Sequence, residues 1–83
     1  NLQQRLRKFT YENGWSDDLW GQIENKYSVV FDVGSKVWTV QSNVYSHFLF
    51  AIYFKDIGVA IRAIEEVVRP FCKENPNYRF QEE

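Results

Sequence analysis

Few residues in this sequence are of types that could support catalysis. His47 is the only histidine, and its neighbour Ser46 would point to the opposite face of a strand, so the two would not form a base–nucleophile pair. Cys72 is the only cysteine, with Lys73 beside it and no histidine nearby, which favours an inert thiol.

The adjacent carboxylates are Asp17-Asp18, Glu65-Glu66 and Glu82-Glu83. Neighbouring residues on a helix do not face one another, so these pairs do not predict paired-acid catalysis.

Motifs of the common catalytic and cofactor-binding sites are missing from the sequence. It contains no phosphate-binding loop, no dinucleotide fingerprint, no nucleophile elbow and no zinc-protease motif. One cysteine and one histidine are too few for a structural zinc site. We therefore predict no catalytic residues, no metal and no cofactor, and we expect the chain not to be an enzyme.

Composition indicates one small globular domain that spans residues 1–83. The chain is 45% hydrophobic and 25% charged, which is ordinary for a folded protein. It contains no methionine, so we expect it to be a fragment of a longer protein that begins at an internal residue. Its net charge of −1 does not favour nucleic-acid binding through the overall electric field. No apolar run approaches the roughly 20 residues that a membrane span needs, and the single cysteine fits a reducing cytoplasm.

The first predicted helix has a narrow apolar stripe of Leu2, Leu6 and Phe9, and Gly14 is expected to end it. One interpretation is that residues 1–14 are the end of an upstream coiled coil. The other is an ordinary first helix that packs on its own domain. Three apolar positions do not decide between them.

A second short helix is predicted from Ser16, as its N-cap, to about Asn25. A β-hairpin is predicted over 27–41, with Gly34-Ser35 as a two-residue type II′ turn. This turn pairs Val33 with Lys36, Phe31 with Trp38, and Val29 with Val40. The core-facing residues of the hairpin would be Val29, Phe31, Val33, Trp38 and Val40.

The remaining elements complete an α+β fold in the order ααβββα. Residues 48–54 are apolar on both faces, which predicts a third, well-buried strand. A long helix then begins at Asp56, kinks or ends at Pro70, and stops by Asn75. Its predicted buried stripe is Ile57, Ala60, Ile61, Ile64, Val68 and Phe71. The predicted architecture is two N-terminal helices, a three-stranded antiparallel sheet and a long C-terminal helix packed on the sheet, with 78–83 as a tail.

Three segments resemble a C-terminal module of uncharacterised phage and prophage proteins from Gram-positive bacteria. They are the first helix over 2–15, the hairpin over 26–40 and the strand–helix step over 52–67. The chain departs from that pattern by extending past Val68 to Pro70 and beyond. The resemblance implies a phage or prophage origin, the cytoplasm of a bacterial host, and a position behind a variable N-terminal region. It implies no catalytic or binding residues.

Three functions stay open at this point, and the first is favoured. A non-enzymatic protein–protein interaction or oligomerisation module could use Leu2, Leu6 and Phe9 for self-association, and Leu6→Glu should then yield monomers. A nucleic-acid-binding accessory domain could place cations beside rings, as single-strand binders do. Its residues would be Arg5, Arg7, Lys8, Tyr11 and Trp15. A phage inhibitor of a host nuclease or defence protein would act by covering a surface, and only the suspected phage origin suggests it.

Overall fold

The computed structural model describes residues 1–16, 26–43 and 51–83. Helix α1 spans Leu2–Glu12, strands β1 and β2 span Lys26–Asp32 and Val37–Asn43, and a long helix follows Asp56. The described part of the chain is therefore α+β, with a two-stranded antiparallel sheet instead of the predicted three strands. The predicted second helix lies largely outside the described residues.

Helix α1 begins and ends where its sequence indicates. The Asn1 side chain accepts a hydrogen bond from the Gln4 backbone N–H, and the Gln4 side chain completes a capping box. Gly14 adopts a φ of +98°, in the left-handed region that favours glycine, and the Trp15 N–H returns to the Thr10 carbonyl at 3.0 Å. Gly14 therefore turns the chain away from the helix, as predicted.

The hairpin has the predicted register but a different turn. Val29 lies opposite Val40, and Phe31 lies opposite Trp38. Residues 33–36 form the turn, and the left-handed φ falls at Lys36, at 57°, whereas a type II′ turn would need it at Gly34. The Asp32 carboxylate accepts from the backbone N–H groups that follow it, which stabilises this wider loop. The predicted Val33–Lys36 pair is therefore wrong, and Val33 is 72% exposed.

The predicted third strand is represented in the described residues by a single bridge. Residues 48–50 lie outside the described part of the chain, and 51–53 form no ladder. Phe54 makes an isolated antiparallel bridge with Tyr27 on the side of β1 away from β2. Tyr53 and Phe54 are nonetheless among the most buried side chains, which confirms the predicted burial at this end of the segment.

The long helix is continuous but changes its winding. It consists of α2 (Ile57–Ala63), a π-helical segment (Ile64–Val68) and α3 (Arg69–Glu74). As predicted, Asp56 caps its start by accepting from the Val59 N–H at 2.9 Å. Pro70 was expected to kink or end the helix. The chain instead widens into the π segment just before Pro70, which cannot donate to the carbonyl four residues earlier.

The π segment also explains why the predicted apolar stripe is partly wrong. Ile57 and Ile61 are 53% and 45% exposed, and Val59 and Ala63 are buried in their place. A π turn holds more residues than an α turn, so the face that buries the second half of the helix does not continue into the first half. The buried cluster contains Leu2, Leu6, Phe54, Val59, Ala60, Ala63, Val68, Phe71 and Cys72.

Candidate functional site: the outer edge of strand β1

The outer edge of β1 is the side that faces away from β2. Tyr27 and Phe54 exchange two backbone hydrogen bonds there, of 3.1 Å and 2.7 Å. Backbone groups alternate in direction along an antiparallel strand, so Val29 and Phe31 point their N–H and C=O groups to the same side as Tyr27. Within 1–16, 26–43 and 51–83, no backbone group pairs with those of Val29 and Phe31 on this side.

A cleft of about 900 Å³ borders this edge, and we call it the β1 cleft. It lies between β1 and residues 51–54, with the start of α1 and the C-terminal residues completing its walls. Its apolar walls include Leu2, Leu6, Phe31, Ile52, Tyr78 and Phe80. The described lining residues carry no charge, and Gln3, Ser28 and Gln41 are among the polar ones. The cleft therefore offers apolar surface next to backbone groups of Val29 and Phe31 that have no backbone partner in the described part of the chain.

The outer edge of β2 is occupied differently. We call residues 78–83 the C-terminal strap, because they cross this edge instead of forming the predicted tail. The Trp38 backbone N–H donates to the Glu82 carboxylate at 3.3 Å, and the Trp38 indole Nε1–H donates to the Phe80 carbonyl at 3.0 Å. The strap therefore covers the first outward backbone donor of β2.

Contacts between aromatic rings, tilted or edge-to-face, anchor the strap. The Phe80 ring lies 5.3 Å from Phe31 and 6.3 Å from Trp38, and Tyr78 lies 5.2 Å from Phe71, measured between ring centroids. Aromatic pairs at these separations contribute beyond the area that they bury. This contact is why residues that look like a polar tail in the sequence are packed on the domain.

Charges fix the end of the strap. Arg69 Nε lies 2.8 Å from the Glu82 carboxylate, and Lys36 Nζ lies 2.8 Å from Glu83. The hydrogen bond from Arg69 lowers the pKa of Glu82, with a smaller contribution from the Trp38 N–H. The Glu83 pair is more exposed than the Glu82 pair, so we expect it to contribute less.

The residues predicted to mediate self-association lie on the inner side of α1. Leu2 and Leu6 are only 5% and 8% exposed and belong to the buried cluster. Phe9 is half-buried, and its ring centroid lies 6.5 Å from that of Phe54. The first helix therefore packs back on its own domain, which is the second of the two interpretations of its stripe. Self-association through these three side chains would require α1 to leave the core.

The residues of the nucleic-acid alternative are not gathered into one stacking surface. Arg5 forms an ion pair of 3.0 Å with Glu74 and lies over the Phe71 ring. Trp15 is 5% exposed and packs on Tyr53, so its ring has no free face for a base. The exposed members of the set are Arg7, Lys8 and Tyr11.

The residues that could have supported catalysis are not brought together either. Ser46, His47, Asp17 and Asp18 lie outside the described residues. Burial raises the pKa of the Cys72 thiol, which disfavours the reactive thiolate. Among the residues that the structure describes, no three His, Cys, Asp or Glu side chains are grouped so that they could hold a metal ion.

Two parts of this arrangement were missed by the sequence reasoning. The strap carries a signal that could have been used, because Tyr78 and Phe80 alternate with polar residues as in a strand that packs on one face. No sequence pattern indicates that β1 lacks a backbone partner beyond Tyr27 among the described residues. That feature depends on how residues 51–53 are placed relative to β1.

Within the described ranges, no helix is long and apolar enough to cross a membrane. Comparison of the chain with protein-family models, curated proteins and solved structures found no match.

Proposed function

We propose that this domain is a non-enzymatic protein–protein interaction module that binds an extended segment of a partner protein along the outer edge of β1. The observation that carries the proposal is the pair of outward-facing residues, Val29 and Phe31, beside the β1 cleft. Their backbone groups provide a ladder for a strand, and the cleft provides space for side chains. Strand addition combines these two features.

The chemistry of the edge defines the partner segment. An extended chain can satisfy the N–H and C=O groups of both residues, because its own groups repeat at the same spacing. Every second side chain of that segment would point toward the core side of the sheet, where the walls of the cleft are apolar. The partner segment should therefore carry apolar or aromatic residues at alternate positions.

The supporting experiment selects linear peptides from a displayed random library on the intact chain. Binding is then compared between two proline variants, Val29→Pro and Val40→Pro. These valines lie directly opposite each other, and both direct their N–H groups away from the β1–β2 ladder. Each substitution therefore removes one outward donor and leaves the ladder bonds in place.

Val29→Pro should weaken peptide binding at least about tenfold. This corresponds to the loss of one well-made hydrogen bond together with some of the packing between the peptide and the strand. Val40→Pro should bind as the parent does, because β2 lies on the other side of the hairpin. Thermal unfolding of both variants shows that they remain folded. Recovery of no binders, or binders that are insensitive to Val29→Pro, would contradict strand addition at β1.

A further inference from the structure

The C-terminal strap lies where a second sheet partner would lie. Trp38 and Val40 direct their backbone groups away from β1, toward the side that the strap crosses. Glu82 accepts from the Trp38 N–H, and the Phe80 carbonyl accepts from the Trp38 indole. Among the residues that the structure describes, the strap thus occupies part of an edge whose outward backbone groups could otherwise pair with another strand.

Strand β2 lacks the usual protection of an edge strand. Its sequence is VWTVQSN, which contains no charged residue and no proline. Exposed edges are commonly protected from pairing by lysine, other charges or proline. Here the charges come from elsewhere in the chain: Glu82 with Arg69, and Glu83 with Lys36.

We propose that the C-terminal strap guards the outer edge of β2, and that its release allows two copies of this chain to pair through β2. A second copy fits this edge because two uncharged strands can lie antiparallel about Val40 without bringing like charges together. This inference does not rest on the proposed partner site on β1, although Tyr78 and Phe80 of the strap also line the β1 cleft.

Cys72 gives a direct readout of strap release. It is the only cysteine in the chain, and it is 8% exposed. Its thiol lies 3.6 Å from the Phe80 carbonyl, and the Gln81 side chain donates to the Cys72 carbonyl at 3.3 Å. Alkylation by N-ethylmaleimide should therefore be slow while the strap is in place and faster once it leaves.

The test uses the full chain with Phe80→Ala and Glu82→Ala together, which removes one ring anchor and the carboxylate that contacts Trp38 and Arg69. Glu74→Ala is the control, because it breaks an exposed ion pair with Arg5 that includes no strap residue. The double variant should be alkylated at least about tenfold faster than the parent, since hydrogen bonds to a charged group are lost. Its solution mass by light scattering should rise from monomer to dimer with concentration.

Adding Val40→Pro to the released variant should restore the monomer, because it removes an outward donor at the centre of the paired edge. A released chain that stays monomeric at every concentration overturns the proposal, as does a dimer that survives Val40→Pro. Unchanged Cys72 alkylation also overturns it, because the strap would then not depend on these contacts.

If the double variant does not fold, Glu82→Gln decides the question with all the rings retained. It should show a smaller increase in Cys72 alkylation and the same concentration-dependent mass. A Glu82→Gln chain with parental alkylation and monomeric mass overturns the proposal.

Discussion

Tyr27 and Phe54 exchange two backbone hydrogen bonds at the outer edge of β1. In the described residues, pairing along this edge does not extend beyond this bridge. Beyond it, Val29 and Phe31 face the β1 cleft. On the other side of the hairpin, Glu82 contacts the Trp38 N–H. Within residues 1–16, 26–43 and 51–83, the two edges of the hairpin therefore differ. The outer edge of β1 has no backbone partner beyond Tyr27 and borders apolar walls, whereas residues 78–83 cross the outer edge of β2.

Leu6 should be required for folding, because its side chain is in the core. Leu6→Ala should lower the free energy of unfolding by about 2–5 kcal/mol, the usual range for removing a buried leucine side chain. Leu6→Glu should unfold the domain, since it would bury a charge. Urea unfolding followed by circular dichroism measures both, with exposed Arg7→Ala as the control.

This comparison also tests the coiled-coil hypothesis. If Leu6→Glu remained folded and changed only from a dimer to a monomer, then Leu6 would serve an interface between copies, and its position in the core would be contradicted.

Gly14→Ala should destabilise the domain by about 1–2 kcal/mol, because a side chain is disfavoured in the left-handed conformation. An added Cβ would also lie 2.6 Å from the Lys55 side chain, which would have to move. Gly34→Ala is the matched control, since Gly34 has no positive φ and its Cβ would approach only Asp32, at 3.3 Å. Equal thermal stability of the two variants would contradict the assigned conformation of Gly14.

Asp56→Ala should cost about 1 kcal/mol by removing the N-cap of the long helix. For a domain of this size, that corresponds to a fall of roughly 4–8 °C in Tm. Asp56→Asn should largely retain stability, because asparagine also caps helices well. Differential scanning calorimetry distinguishes the two, and an equal loss in both variants would show that the negative charge matters more than the cap.

Acid should weaken the contacts of Glu82 and of the hairpin turn. The pKa of Glu82 is lowered by its hydrogen bond from Arg69, and that of Asp32 by its hydrogen bonds from Ser35 and Gly34. Carboxyl groups with lowered folded-state pKa values stabilise the fold above their ordinary pKa values of 4.5 and 3.8. Their contribution is lost as the pH falls through the lowered values.

The free energy of unfolding, measured by urea titration, should therefore fall as the pH drops below about 5 and should continue to fall as the lowered pKa values are passed. Glu82→Gln should make this fall shallower, because one of the responsible groups no longer titrates. A pH profile identical to that of the parent would contradict the role of the Arg69–Glu82 pair.

Much of the local structure could be predicted from the sequence, because it depends on nearby residues. The cap at Asp56, the turn at Gly14 after α1 and the Val29–Val40 register all follow from local chemistry. Some local features were nonetheless predicted wrongly, because a second local interaction competes with the one on which the prediction was based. The conformation of the hairpin turn is set by hydrogen bonds to the Asp32 carboxylate. The exposure of Ile57 results from the π segment farther along the helix.

The candidate site, too, could be predicted from the sequence only in part. The sequence pointed to the stripe of α1 as the interacting surface, since an apolar stripe has the same pattern whether it packs inside or between molecules. The structure places Leu2 and Leu6 in the core. The edges of β1 and β2 could not be distinguished from the sequence, because the positions of Phe54 and of the strap decide which edge is covered by the residues that the structure describes.

The most direct test of the open β1 edge is the hydrogen exchange of individual amides in the unliganded protein, measured by NMR. Ser28 and Val30 direct their N–H groups into the β1–β2 ladder, while Val29 and Phe31 direct theirs outward. If the outer edge of β1 is unpaired, the amides of Val29 and Phe31 should exchange at least about tenfold faster than those of Ser28 and Val30. Equal protection of all four amides would mean that the outer edge of β1 is already paired, and would contradict the proposed binding site.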